Sequence, residues 1–269
     1  MLARQAIHTL RDELEFVGKA KSLVDLSGVE SPPVDPRRLA ALQGIRHVFL
    51  SHRLDVSGQI LRIGGELVIR LNAIETPARQ NFSCCHEIAH TFALGALPRC
   101  RSTIGAACGA PSREEYLCDV AASEMLMPEK LFRPAATALE PSLESVGNLA
   151  HRFGASTQAT MRRIGALDVW PVLFIVWQFM GRRDGLLPKL RVSWSVRRSD
   201  ARCFVPRYAS ADPRSSMYAS FLTGRRMVES ERLSIGDLRG RYVIESGKFR
   251  QTVLSIVHDP NLRRNNYAV

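Results

Sequence analysis

The stretch that most limits what this chain can be is His86-Glu87-Ile88-Ala89-His90. On a helix, residues four apart project from one face. Two imidazoles at that spacing can therefore hold one cation, with the glutamate between them placed to take a proton from water. Two histidines one turn apart on an exposed helix would mean little. Here Ile88, Ala89, Phe92, Ala93 and Leu94 make the helix a buried one, and burying the five-residue pattern without a ligand would strand three polar groups. A catalytic zinc takes three protein ligands and keeps a fourth position open, so a third donor is expected from a nearby element. Glu115, on the next helix, is that donor. Asp119 follows one turn later on the same face, where it can accept a ring N–H from a ligand histidine and so set its tautomer. The rival donor, Glu114, stands about 100° round the helix and should face solvent. His151 is a further imidazole, expected on the surface of a later helix. The ion expected is Zn²⁺, with Mn²⁺ as the alternative, and Glu87 is the expected catalytic base.

The surrounding pattern reads as α+β. Residues 3–26 predict a helix with Ile7, Leu10, Leu14, Val17 and Leu23 as its apolar positions, broken by the Ser31 to Pro36 stretch. A short helix over 37–42 and a strand over 45–51 follow. Then comes a hairpin of 59–63 with 66–71, turning at Gly64-Gly65. The helix that carries the histidines begins near Pro77 and is expected to stop at Gly95. After a Gly-, Ala- and Ser-rich loop over 96–112, a second helix starts at Ser112, whose hydroxyl can cap it with Glu115 three residues on, and runs to Pro128. Val146, Leu149, Phe153, the Gly154-Ala155-Ser156 turn, then Ala159, Met161 and Ile164 predict a helix-turn-helix. Beyond Asp168 the runs PVLFIVW, RVSWSV, RYVIE and TVLSIV predict strands. The expected domains are 1–130, 131–167 and 168–269.

Charge follows the same boundary. The 269 residues carry a net charge of +11. Residues 1–168 hold 19 Lys and Arg against 18 Asp and Glu, while residues 169–269 hold 18 against 8. A concentrated positive field suits an acidic protein partner or nucleic acid. If the second helix of the pair reads DNA, Gln158, Arg162 and Arg163 are the residues it offers. The doublets Arg182-Arg183, Arg197-Arg198, Arg225-Arg226 and Arg263-Arg264 are instead scattered among β-like runs and favour docking or ligand sensing over groove reading. Six cysteines, five of them between 84 and 118, form no paired knuckle and read as free buried thiols, although thiolates near zinc would compete for it or be oxidised. No apolar run is long enough to span a bilayer, and the first twenty residues lack the apolar stretch of a secretory signal. The expectation is a cytoplasmic protein with no membrane partner.

RLNAIETPARQNFSCCHEIAHTFALG, the gap, and EEYLCDVAASEMLMPEKLF resemble the ImmA/IrrE family of zinc-dependent endopeptidases. The match rests on Asn72, Arg79, Phe82, the His86 to His90 pattern, Glu115, Asp119 and Leu126-Met127-Pro128. The resemblance implies a gluzincin-like zinc peptidase domain, then a helix-turn-helix, then a GAF-like α/β domain that senses a ligand or docks the substrate. It further implies one site-specific cut in a helix-turn-helix transcriptional repressor, derepressing stress-response or mobile-element genes. The other reading is a DNA-binding transcriptional regulator whose metal pattern is structural or vestigial.

Overall fold

The structure, a computed structural model, describes residues 2–93, 112–180, 188–196 and 204–258, with side chains from Leu10 onward. It is a mixed α and β chain with two sheets, and it divides into two compact units: Met1–Phe132 with Ala150–Ala159, and Arg133–Leu149 with Thr160–Val269. The 131–167 stretch, expected to stand as its own domain, is thus shared between the two.

The first unit opens with α1 (Leu2–Leu26). Its buried positions are Phe16, Ala20, Leu23 and Val24, whereas Leu10 and Leu14 of the expected stripe are 59% and 64% exposed. The buried face is chosen by what α1 packs against. It lies along a later helix, α4 (Arg113–Leu126), and Phe16 meets Phe92 edge-on with centroids 6.0 Å apart. Next come α2 (Pro36–Leu42), started by the Asp35 side chain accepting from the Arg37 N–H, and strands β1 (Ile45–Ser51), β2 (Gly58–Ile63) and β3 (Glu66–Asn72). The sheet order is β1-β3-β2, with β1 parallel and β2 antiparallel to β3. Gly64 and Gly65 have φ of 60° and 88°, the left-handed pair that a two-residue hairpin turn needs and that other residues adopt only with strain.

Helix α3 (Pro77–Ala89) packs on β2 and β3 and against α4. It stops sooner than its apolar sequence suggests and passes into a 3-10 turn, His90–Phe92. At the change the Thr91 hydroxyl donates to the Ile88 carbonyl at 2.6 Å, the kind of back-bond that loosens and bends a helix. Residues 94 and 95, and the loop expected over 96–111, lie outside the described residues.

Helices α5 (Glu129–Thr137), α6 (Leu143–Arg152) and α7 (Thr157–Ala166) each give residues to both units. Gly154, at φ 61°, turns the chain between α6 and α7, and the Ser156 hydroxyl accepts from the Ala159 N–H at 3.1 Å to start the latter. The apolar positions Val146, Leu149, Phe153, Met161 and Ile164 are buried. So is Arg163, at 6% exposure, while Arg162 lies over the Trp194 ring at 4.5 Å. Of the two arginines offered for groove reading, Arg163 is thus buried while Arg162 is exposed.

The second unit holds a five-stranded antiparallel sheet of β4 (Val172–Met180), β5 (Lys189–Val196), β6 (Met227–Ile235), β7 (Leu238–Phe249) and β8 (Thr252–His258), in the order β5-β4-β8-β7-β6, with α8 (Ser216–Thr223) packed on it. Trp177, Ile175, Ile244 and Val253 are fully buried in its core. Arg226, read from the sequence as one of several surface doublets, has a structural partner. Its Nε lies 2.6 Å from Oε1 of Glu245, whose side chain is 4% exposed, and that same oxygen accepts from the Leu143 N–H at the start of α6 at 3.0 Å. Among the described residues no helix is long and apolar enough to cross a membrane.

Candidate metal centre

The centre is built where α3 and α4 face each other. Thr76 caps α3 and Pro77 opens it, while Gln80 donates through Nε2 to the carbonyls of Asn72 and Glu75, tying the end of β3 to the first turn of the helix. Asn72 itself donates to the carbonyls of Leu54 and Val56 and accepts from the Ile74 N–H, so its role is to shape the β2 approach. Arg79 reaches the Ser57 hydroxyl at 3.1 Å and lies over the Phe82 ring. Helix α4 begins as its sequence suggests: the Ser112 hydroxyl accepts from the Glu115 N–H at 3.3 Å, which puts Glu114 and Glu115 in the first turn, where the helix dipole favours negative charge.

His86, His90 and Glu115 offer ligand atoms all within 4.8 Å of one another. Nε2 of His86 is 3.1 Å from one Glu115 oxygen and Nε2 of His90 is 3.8 Å from the other. Two imidazole nitrogens and a carboxylate oxygen facing a common point are the donor set that suits Zn²⁺, and the residues fit such an ion. Asp119 lies 2.9 Å from Nδ1 of His86, on the far side of the ring from Glu115. Glu114 is exposed, as expected of it, yet its Oε1 comes within 3.4 Å of Nδ1 of His90. Sequence reasoning treated it only as an alternative ligand. What brings it to His90 is the antiparallel run of the two helices, which sets the earlier carboxylate of α4 against the later histidine of α3, an arrangement neither segment shows by itself. His151 is exposed on α6 and does not join the group.

The charges are perturbed in a consistent way. Burial opposes a charged His86, but the hydrogen bonds to Asp119 and Glu115 outweigh it and lift its pKa to about 9. Glu115 is held below the usual carboxylate value by its hydrogen bond to His86. Glu87, 8% exposed, is pushed up by burial against the lowering effect of the two histidines and a backbone hydrogen bond from Ile60. It sits against Gly58 of β2. A Cβ there would come 3.1 Å from the Glu87 Cγ and Oε1, so the missing side chain makes the space in which the carboxylate lies.

Burial pushes the Cys84 thiol up to about 12 and holds Cys85 and Cys118 above their ordinary value too, which disfavours their thiolates. Cys100, Cys108 and Cys203 lie outside the described residues. The Tyr116 hydroxyl donates to Glu13 of α1 at 3.1 Å.

A helix bearing two imidazoles and a glutamate, a facing helix bearing a carboxylate, and a three-stranded sheet beneath them are the plan of a metallopeptidase-type domain. Residues 40–165 match the peptidase M78 family model described as the IrrE N-terminal-like domain. That match covers a little under half of the chain, and over it the protein is similar to the IrrE N-terminal-like domain. It is 30% identical over 111 residues to the radiation response metalloprotease IrrE of Deinococcus radiodurans, which is 40% of this chain and 34% of that protein. To the protein of the same name from Deinococcus deserti it is 28% identical over 119 residues, 44% of this chain and 42% of that one. The chain thus spans about a third to two fifths of the length of these curated relatives. Among solved structures, a Mycobacterium tuberculosis transcriptional regulator superposes with a TM-score of 0.56 over 91% of this chain and 76% of that one, at 16% identity, a likeness of fold.

Proposed function

We propose that the protein is a zinc-dependent endopeptidase that makes a site-specific cut in a helix-turn-helix transcriptional repressor and so derepresses stress-response or mobile-element genes. The observation that carries the reading is the convergence of His86, His90 and Glu115 with the buried carboxylate of Glu87 in the same helix. When bound, the divalent ion, Zn²⁺ or alternatively Mn²⁺, supplies Lewis acidity to water and to a substrate carbonyl. His86 and His90 hold it through Nε2 and Glu115 through its carboxylate, with Asp119 fixing the His86 ring. Glu87 takes the proton from the attacking water and later returns it to the leaving amine, and burial, which raises its pKa above the ordinary carboxylate value, favours its holding the proton between the two steps. The peptidase chemistry belongs to residues 1–130, and the gluzincin-like arrangement is the zinc domain the family resemblance implies. Residues 131–167 form a helix-turn-helix-like segment. Residues 168–269 form a GAF-like domain for sensing or docking, a reading supported by the five-stranded antiparallel sheet with its helix. A cytoplasmic location goes with a repressor as substrate.

The decisive experiment incubates the Zn²⁺-loaded chain with the helix-turn-helix repressor encoded nearest its gene and maps the products by mass spectrometry. One cut, abolished by chelation and restored by Zn²⁺ or Mn²⁺, is expected; an intact repressor across the candidates tested would count against the reading. In the same preparations, metal analysis should return one ion per chain, and Glu115→Ala should lose most of it. Full occupancy in that variant would remove Glu115 from the ligand set.

Gly58→Ala offers a subtler check. The new Cβ crowds the Glu87 carboxylate and, at 3.3 Å, the Ser83 Cβ, without touching a ligand. The turnover number should fall by roughly tenfold with metal content unchanged, since a displaced base loses part of its contribution.

The second reading, a DNA-binding regulator, is favoured by the basic C-terminal hundred residues and by the fold likeness to a transcriptional regulator. Against it, α7 buries Thr160, Met161, Arg163 and Ile164, leaving few side chains for base edges. Gln158 and Arg162 would remain as contacts, and steep loss of DNA affinity between about 50 and 200 mM salt is the behaviour that would support it.

A further inference from the structure

We infer that Glu114 is a positioning residue of the metal centre, holding the His90 ring by Nδ1 as Asp119 holds that of His86. The inference rests on the metal reading above and adds to it a second carboxylate clamp. Three of the carboxylates of α4, at 114, 115 and 119, stand at the histidine rings. Glu115 faces both Nε2 atoms, while Asp119 and Glu114 stand at the two Nδ1 atoms, at 2.9 and 3.4 Å. Because the helices run antiparallel, the later carboxylate meets the earlier histidine and the earlier carboxylate meets the later one. A single turn and a half of α4 thereby serves all four imidazole nitrogens.

The reason His90 needs such a partner lies in its other neighbour. The Cys118 sulfur is 3.5 Å from the same Nδ1 and is buried. A thiol offers a weak S–H donor, and donation to Nδ1 would select the tautomer whose proton sits on Nε2, the nitrogen needed for the ion. An ionised carboxylate can only accept. Glu114 therefore draws the proton to Nδ1, leaves the Nε2 lone pair aimed at Glu115 and the ion, and turns Cys118 into a spectator. Partners of this kind typically govern metal affinity by about 10- to 100-fold.

The test compares Zn²⁺ affinity by competition with a chromophoric chelator in the full chain and its Glu114→Ala, Glu114→Gln and Glu114→Ala/Cys118→Ala variants. These are read beside the ¹⁵N chemical shifts of the His90 ring in the metal-free proteins. Glu114→Ala should bind Zn²⁺ roughly tenfold more weakly and move His90 toward the Nε2–H tautomer. Glu114→Gln, which keeps an acceptor oxygen, should stay within about threefold of wild type, and removing Cys118 should restore part of the alanine loss. Affinity and tautomer unchanged in Glu114→Ala would overturn the inference, as would a glutamine variant as weak as the alanine one, because the effect would then be charge alone. A wild-type chain that binds neither Zn²⁺ nor Mn²⁺ would instead overturn the metal reading on which it stands.

Discussion

Glu87→Gln should retain one metal ion per chain and lose repressor cleavage by about 10²- to 10⁴-fold. The substitution keeps the size of the side chain and its contact with Gly58 but removes the proton acceptor, and no metal ligand is touched. The pH dependence has a defined sign. A base works only when deprotonated, and burial raises the Glu87 pKa above its ordinary 4.5, so wild-type activity must rise with pH through that raised value and be lost below it. Single-turnover cleavage across pH, beside metal analysis of both proteins, checks the assignment. Cleavage retained in the glutamine variant would mean that another group takes the proton.

Arg226→Glu is expected to destabilise the second unit rather than merely change its surface charge. It would place a second carboxylate against Glu245, whose side chain is 4% exposed and which already accepts from the Leu143 N–H. Even Arg226→Ala leaves that buried charge without its cation, a loss of about 3 kcal/mol. For a unit of this size that lowers the unfolding midpoint by roughly 10 °C. Arg225→Glu is the control, and thermal unfolding of both variants by circular dichroism gives the comparison. A midpoint for Arg226→Ala within about 1 °C of wild type would show that solvent or another group neutralises Glu245.

The consequence reaches back to what the positive charge is for. Reversing Arg226 cannot separate docking from DNA binding, because loss of either would follow from an unfolded unit. Arginines without a buried carboxylate partner must carry that experiment.

Much of the centre was legible from spacing alone. His86 and His90 at four residues, Glu115 and Asp119 at four, the Ser112 cap and the Gly64-Gly65 turn all depend on contacts within one or two helical turns or one hairpin, and such contacts are written in consecutive residues. The apolar runs that became β4, β5, β7 and β8 were visible for the same reason. β6 was not, because MVESERLSI is a mostly exposed edge strand whose charged side chains hide its period.

What only the tertiary structure decided are the properties that need two distant segments at once. Which face of α1 is buried depends on α4 and Phe92, so Leu10 and Leu14 could not be told from core positions by period alone. The partner of Arg226 lies on β7, the strand beside β6, and that of Nδ1 in His90 lies 24 residues downstream. Local chemistry specified which atoms the chain would offer to a metal. The antiparallel packing of α3 on α4, invisible in either segment alone, assigned each carboxylate its nitrogen.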